Sequence, residues 1–148
     1  MKILGLLLIG IVLITKVGKS VDLTCNRLEH NYVTCQQDRS NFYGLWSIPT
    51  SSFRLKSAEV KEYEEQDEDT RYYIYKLYLY AENKEIYFHE YGSKFDKAYA
   101  DIERILDFLS GADQGTSFSL NRRSNVFQDV FHILAALGLI VAFIKRFN

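Results

Sequence analysis

The sequence predicts an α+β protein: an antiparallel sheet of about six strands, curved towards a half-barrel, with one packed amphipathic helix and a hydrophobic helix at each end. Three observations carry this expectation. Residues 71–91 alternate in two tyrosine-rich runs around Glu82, Asn83 and Lys84, as an antiparallel hairpin does. Lys94 to Ser110 repeats apolar residues at helical spacing. Val126 to Ile144 is the strongest apolar block of the chain and stops against Lys145 and Arg146.

The 148 residues, less the two hydrophobic ends, leave about 100 for a single domain with a modest core. Three segments follow: 1–20 as a hydrophobic anchor or signal segment, 21–121 as the α+β domain, and 122–148 as a transmembrane helix with a basic end. Lysine and arginine number 18 against 19 aspartates and glutamates, so no overall field favours nucleic acid, and a general DNA or RNA binder is disfavoured. One proline, eight glycines, 11 tyrosines and 10 phenylalanines make a middle that should fold, mostly as β.

At the start, Ile3–Ile14 is an apolar run between Lys2 and Lys16. It fits a short membrane anchor whose lysines snorkel, a secretory signal peptide cleaved after Ser20, or a buried core helix. Val21–Leu28 and Tyr32–Arg39 read as two strands joined by Glu29, His30 and Asn31. If opposed residue numbers sum to 60, Cys25 faces Cys35 and Arg27 faces Val33. Asn41–Thr50 holds Gly44 and Pro49 and gives a turn with a short strand, and Phe53–Glu65 a weakly alternating strand ending in the polar turn 66–70.

Arg71–Ala81 is the clearest strand and Glu85–Tyr91 its hairpin partner. In the helix 94–110, Phe95, Tyr99, Ile102, Ile105, Leu106 and Leu109 form the apolar stripe expected to meet the sheet. Ser93 and Asp96 suggest a capping box, and Gly111 a left-handed stop. Thr116–Asn121 supplies a last short strand. Beyond it, from Val130 to Ile144 only His132 is polar, a stretch of about 22 Å as helix. A bilayer span must therefore start near Asn125 and hold Gln128, Asp129 and His132 close to one interface.

The run Leu23-Thr24-Cys25-Asn26-Arg27-Leu28-Glu29, the second cysteine at 35, Gly44, two long strands, an amphipathic helix, a short strand and a terminal hydrophobic helix resemble a group of small uncharacterised membrane proteins common in cyanobacteria. That group carries an LTC-x-R-x-E hairpin start and hydrophobic helices at both ends. More loosely, a sheet followed by a packed helix resembles the pleckstrin-homology-like domains of bacterial membrane proteins, although a strand after the helix departs from that topology. The resemblance implies an integral membrane protein of a plasma or thylakoid-type membrane and supplies no catalytic residue to carry over.

Catalysis needs a nucleophile or base held by partners, and no convergent set stands out. His30, His89 and His132 fall in a turn, a strand and the hydrophobic helix, so no metal site and no cofactor are expected. The acidic run from Glu59 to Asp69 lacks the ligand order of a calcium loop and reads as a solvated strand end. Asp129 and His132 share one helix face, either as interfacial residues reaching water or as a contact to another helix. Lys16, Lys19, Arg122 and Arg123 place positive charge where the domain meets the membrane, suited to anionic headgroups.

The function expected is non-enzymatic binding or scaffolding at a lipid bilayer, with a membrane-protein partner or a second copy of the chain. The alternative is an accessory subunit of a membrane enzyme or transporter using Asp129 and His132. Cross-strand Cys25 and Cys35 would lie within disulfide reach, which places the domain on a periplasmic or lumenal side.

Overall fold

The computed structural model describes residues 17–147 except 30, 42–44, 68, 124 and 125. It is α+β, in the order β1 (Ser20–Glu29), β2 (Tyr32–Asn41), β3 (Trp46–Pro49), β4 (Phe53–Arg54), β5 (Ser57–Asp67), β6 (Thr70–Ala81), β7 (Lys84–Glu90), α1 (Phe95–Ser110), β8 (Ser117–Arg123) and α2 (Val126–Phe147).

Alternation builds the first hairpin. Val21, Leu23 and Cys25 on β1, and Val33, Cys35 and Gln37 on β2, are buried while their neighbours are not. Residues of one parity share a sheet face, so this set turns together towards the interior. The Ser20 and Ser40 hydroxyls lie 2.6 Å apart, and Cys25 is bridged to Cys35, so both pairs sum to 60 and one register runs through the ladder.

Two sheets form where a single six-stranded sheet was expected. One runs β3-β2-β1-β8, with β4 also paired to β2, and the other runs β5-β6-β7. The exchange takes place within two residues. The Leu55 amide donates to the Val33 carbonyl of β2 at 3.0 Å, and the Lys56 amide donates to the Tyr80 carbonyl of β6 at 2.8 Å. The expected strand 53–65 is thereby cut into β4 and β5, and the sheets do not join into one curved half-barrel. A buried amide ties them together, since Gln37 Nε2 donates to the Tyr87 carbonyl at 3.2 Å. The polar turn expected at 66–70 is tighter than its composition suggests, because Asp67 already pairs with Thr70.

On β7 the partner of Leu77 is His89 and that of Tyr78 is Tyr87, which leaves Phe88 as an extra, fully buried residue in a bulge. Gly92, at φ 57°, turns the chain away while its carbonyl still accepts from the Tyr75 amide at 3.0 Å.

Helix α1 packs on β5 and β6. Its capping box is absent: Lys94 is the N-cap and no side chain caps the helix. At the other end Gly111, at φ 82°, takes the left-handed conformation that side chains resist, and its amide reaches the Phe108 carbonyl. The buried face comprises Ala98, Asp101, Ile105 and Phe108. Of the expected stripe, Phe95, Tyr99 and Leu106 are exposed and only Ile105 is fully buried. The helix is rotated from the expected orientation because Asp101 points inward, where the Tyr91 hydroxyl donates to its Oδ2 at 2.5 Å.

Two compact units divide the chain: Met1–Val21, Asp38–Ile48 and Arg122–Asn148 form one, and Asp22–Gln37 with Pro49–Asn121 the other. The second holds the core of Leu23, Leu77, Leu79, Phe88, Ile105 and Phe108. Neither expected flanking hydrophobic helix is shown: 1–20 falls almost wholly outside the described residues, and 122–148 is shown only to contain the helix α2. Among the described residues no helix is long and apolar enough to cross a membrane. A strand after α1, β8 beside β1, also departs from the pleckstrin-homology-like order.

Candidate functional site

The first candidate surface is α2, whose described side chains are arranged inside out. Val130, Phe131, Ile133, Leu134, Leu137 and Val141 are all exposed, Phe131 at 70%. Positions 130, 134, 137 and 141 recur at helical spacing and form one stripe. Asp129 and Ala136, two turns apart, are buried on the other side, with His132 partly buried near them. A helix lying on a protein core in water turns its apolar stripe inward. One in lipid keeps ionisable groups towards protein and aliphatic groups outward. Asp129 is 2% exposed.

The unit containing α2 also gathers the expected cations. Lys19 is exposed before β1, Arg123 is exposed at the end of β8, Arg122 is partly buried, and Lys16 lies outside the described residues. The segments of this unit carry eight lysines and arginines against two aspartates, while those of the other carry ten against seventeen acids. Leu45, Trp46 and Ile48, at 90%, 67% and 54% exposure, belong to the same basic unit, although their apolar run suggested only a short strand.

The second surface is the face of β5-β6-β7 on which Glu59, Lys61 and Tyr63 oppose Tyr78, Lys76 and Ile74. Lys61 Nζ sits 2.7 Å from Glu85 and 4.6 Å from the Tyr78 ring centroid. The Tyr80 hydroxyl donates to Glu59 at 2.8 Å, and Lys76 pairs with Glu90 at 3.2 Å and lies over the Tyr63 ring. The Glu85 hydrogen bond, followed by that with Tyr80, raises the Lys61 ammonium above its ordinary range. The hydrogen bond with Lys61, followed by one of its own with Tyr80, holds the Glu85 carboxyl below its ordinary range. Tyr78 is pushed up to about 12, first by the hydrogen bond with Tyr63 and then by desolvation. Lys61 and Tyr78 are protonated near neutral pH by their ordinary values alone, and the shifts move them further from it. What this face offers is rings, ammonium groups and carboxylates.

A third cluster explains Arg27 of the hairpin start. Its guanidinium donates to the Phe108 carbonyl and lies 4.8 Å over the Phe108 ring. Phe108 stacks on Phe118 at 5.4 Å, and Arg104 covers Phe118 at 5.5 Å. Two cations and two rings thus join β1, the end of α1 and β8. Nothing in the local sequence around Arg27 indicates this, since its partners lie about eighty residues away.

Cys25 and Cys35 are joined by a disulfide across β1 and β2, with Cα atoms 4.0 Å apart. His89 stacks edge-on against Tyr91 at 4.8 Å, and His30 lies outside the described residues. Within the acidic run, Glu59, Glu64 and Glu65 are engaged by Tyr80, Arg71 and Tyr72. Among the described residues no group of three or more His, Cys, Asp or Glu is placed to hold a metal ion. No protein-family model, curated protein or solved structure matches the chain.

Proposed function

We propose that the chain is a membrane-associated, non-enzymatic binding or scaffolding domain, held at a bilayer through 122–148 and presenting the α+β domain to a partner. The observation that carries this is α2, with its apolar half turned outward and Asp129 buried behind it. The basic unit around it adds cations for anionic headgroups, each contributing about 1 kcal/mol where well placed. Trp46, exposed in the same unit, suits the interfacial belt that indole rings favour. The Cys25–Cys35 disulfide supports an oxidising side, periplasmic or lumenal, for the domain. The cyanobacterial membrane-protein resemblance points the same way.

Alkaline carbonate washing of membranes tests the attachment. The full chain should stay in the pellet, and the chain truncated after Ser124 should move to the supernatant. Equal retention of both would remove α2 as the attachment. The burial of Asp129 favours one second reading, an accessory subunit of a membrane enzyme or transporter that uses Asp129 and His132. Asp129→Asn with His132→Gln separates the two: unchanged membrane attachment and unchanged associated phenotypes exclude that role.

A further inference from the structure

The rotation of α1 leaves an apolar stripe exposed. Phe95, Tyr99 and Leu106 are 47%, 42% and 41% exposed, and Ile102 between them is partly buried. The steps of four, three and four place these residues on one side of the helix, flanking the face that meets the sheet. Aromatic rings extend the strip onto β6: Tyr75 lies edge-on to Phe95 at 5.4 Å and to Tyr99 at 6.4 Å, and Tyr73 is 47% exposed.

Both borders of this strip are acidic. Asp96, Glu103 and Asp107 each follow a stripe residue by one position, which carries them round the helix away from the sheet, and all three are exposed. On β5, Glu62 opposes Tyr75 and Glu64 opposes Tyr73, with Glu64 also paired to Arg71 at 3.3 Å. The cations within α1, Lys97 and Arg104, lie on the opposite flank, and Arg104 is drawn over Phe118.

We propose that this strip is a docking groove for a cationic amphipathic helix of a partner protein, its apolar residues seated on Tyr99 and Leu106 and its lysines or arginines on Asp96, Glu103 and Asp107. Helix-in-groove recognition needs apolar anchors at i, i+3 or i+4, and i+7, and a strip of this length matches them. The charge selects the partner. An anionic lipid surface would meet three carboxylates, and a second copy offering the same strip would set carboxylate against carboxylate. The proposal names the partner class of the binding role proposed above and rests on it.

The test uses the full chain in zwitterionic nanodiscs and a fluorescent Leu/Lys helical peptide of about eighteen residues, with empty discs as background. Fluorescence anisotropy should show saturable binding. Affinity should fall about ten-fold or more in Leu106→Ser and in the triple variant Asp96→Asn, Glu103→Gln, Asp107→Asn. A Leu/Glu peptide of the same spacing should not bind. Wild-type affinity in the triple variant, or equal binding of the Leu/Glu peptide, overturns the proposal. So does concentration-dependent dimerisation that Leu106→Ser abolishes, because a second copy would then cover the strip. Should Leu106→Ser impair folding, the triple variant decides, since its three side chains are exposed. Retention in the carbonate pellet is read in parallel, so loss of peptide binding is distinguished from loss of membrane attachment.

Discussion

Ile105 and Leu106 are consecutive, both aliphatic, and differ sharply in surroundings: 1% against 41% exposed. Truncating either to alanine removes three carbons. For Ile105→Ala, at about 0.8 kcal/mol per buried methylene, the transfer loss is about 2.4 kcal/mol, and the cavity left under the helix raises the cost towards about 2–5 kcal/mol. For Leu106→Ala, with two-fifths of the residue already in water, the same arithmetic gives about 1.4 kcal/mol and no closed cavity. At about 2–4 °C per kcal/mol for a chain of this size, Ile105→Ala should melt about 4–20 °C below the parent and Leu106→Ala about 3–6 °C below it. Thermal unfolding followed by circular dichroism in one detergent, with all three proteins side by side, measures this. If Leu106→Ala melts as low as Ile105→Ala, the helix sits on the sheet through its 99, 102 and 106 side. The rotation described for α1 would then be wrong, and the groove with it.

Removing the disulfide in Cys25→Ala with Cys35→Ala frees a loop of sequence separation 10, which should lower stability by about 2–3 kcal/mol. An unchanged denaturant midpoint, with or without reductant on the parent, would contradict this. Tyr91→Phe deletes the buried hydroxyl bond to Asp101 and should cost about 1–3 kcal/mol, read from the urea midpoint. A midpoint equal to the parent's would show that Asp101 is not held by Tyr91. Tyr78 should ionise only near pH 12. Because its folded value is raised, the protonated form favours the native state, a contribution present below the unfolded value of about 10 and lost as pH climbs through the folded one. Ultraviolet titration should show this late step, and Tyr63→Phe should move it earlier; an unmoved step would refute the Tyr63 hydrogen bond as its cause.

Much of the fold was legible in local alternation. Val21, Leu23 and Cys25 share one sheet face with Val33 and Cys35 because parity alone assigns sheet faces, and the summed numbering of the hairpin carries through to Ser20 and Ser40. Gly111 ends α1 as glycine so placed predicts. The division into two sheets was hidden because the chain changes partners between Leu55 and Lys56 with no glycine or proline to mark it. The orientation of α1 was hidden because Asp101 counts as a solvent residue in any apolar-periodicity reading, whereas in the fold it is buried and accepts from the Tyr91 hydroxyl. The bulge at Phe88 is equally silent, since one extra residue leaves the composition of β7 unchanged. In α2 the apolar content was plain, but which side faces protein follows from the burial of Asp129, a tertiary fact.

The borders of the three-stranded sheet limit how anything can be recognised there. β5, one outer strand, carries Glu59, Lys61, Glu62, Glu64 and Glu65 in close succession, and β7, the other, is seven residues long and bulged. A dense row of charge and a kinked short ladder are the two devices that discourage an incoming chain from extending a sheet through its backbone. β-Augmentation is thereby disfavoured on both sides. The binding role proposed above would therefore rest, on this sheet, on side-chain shape and charge rather than on backbone pairing.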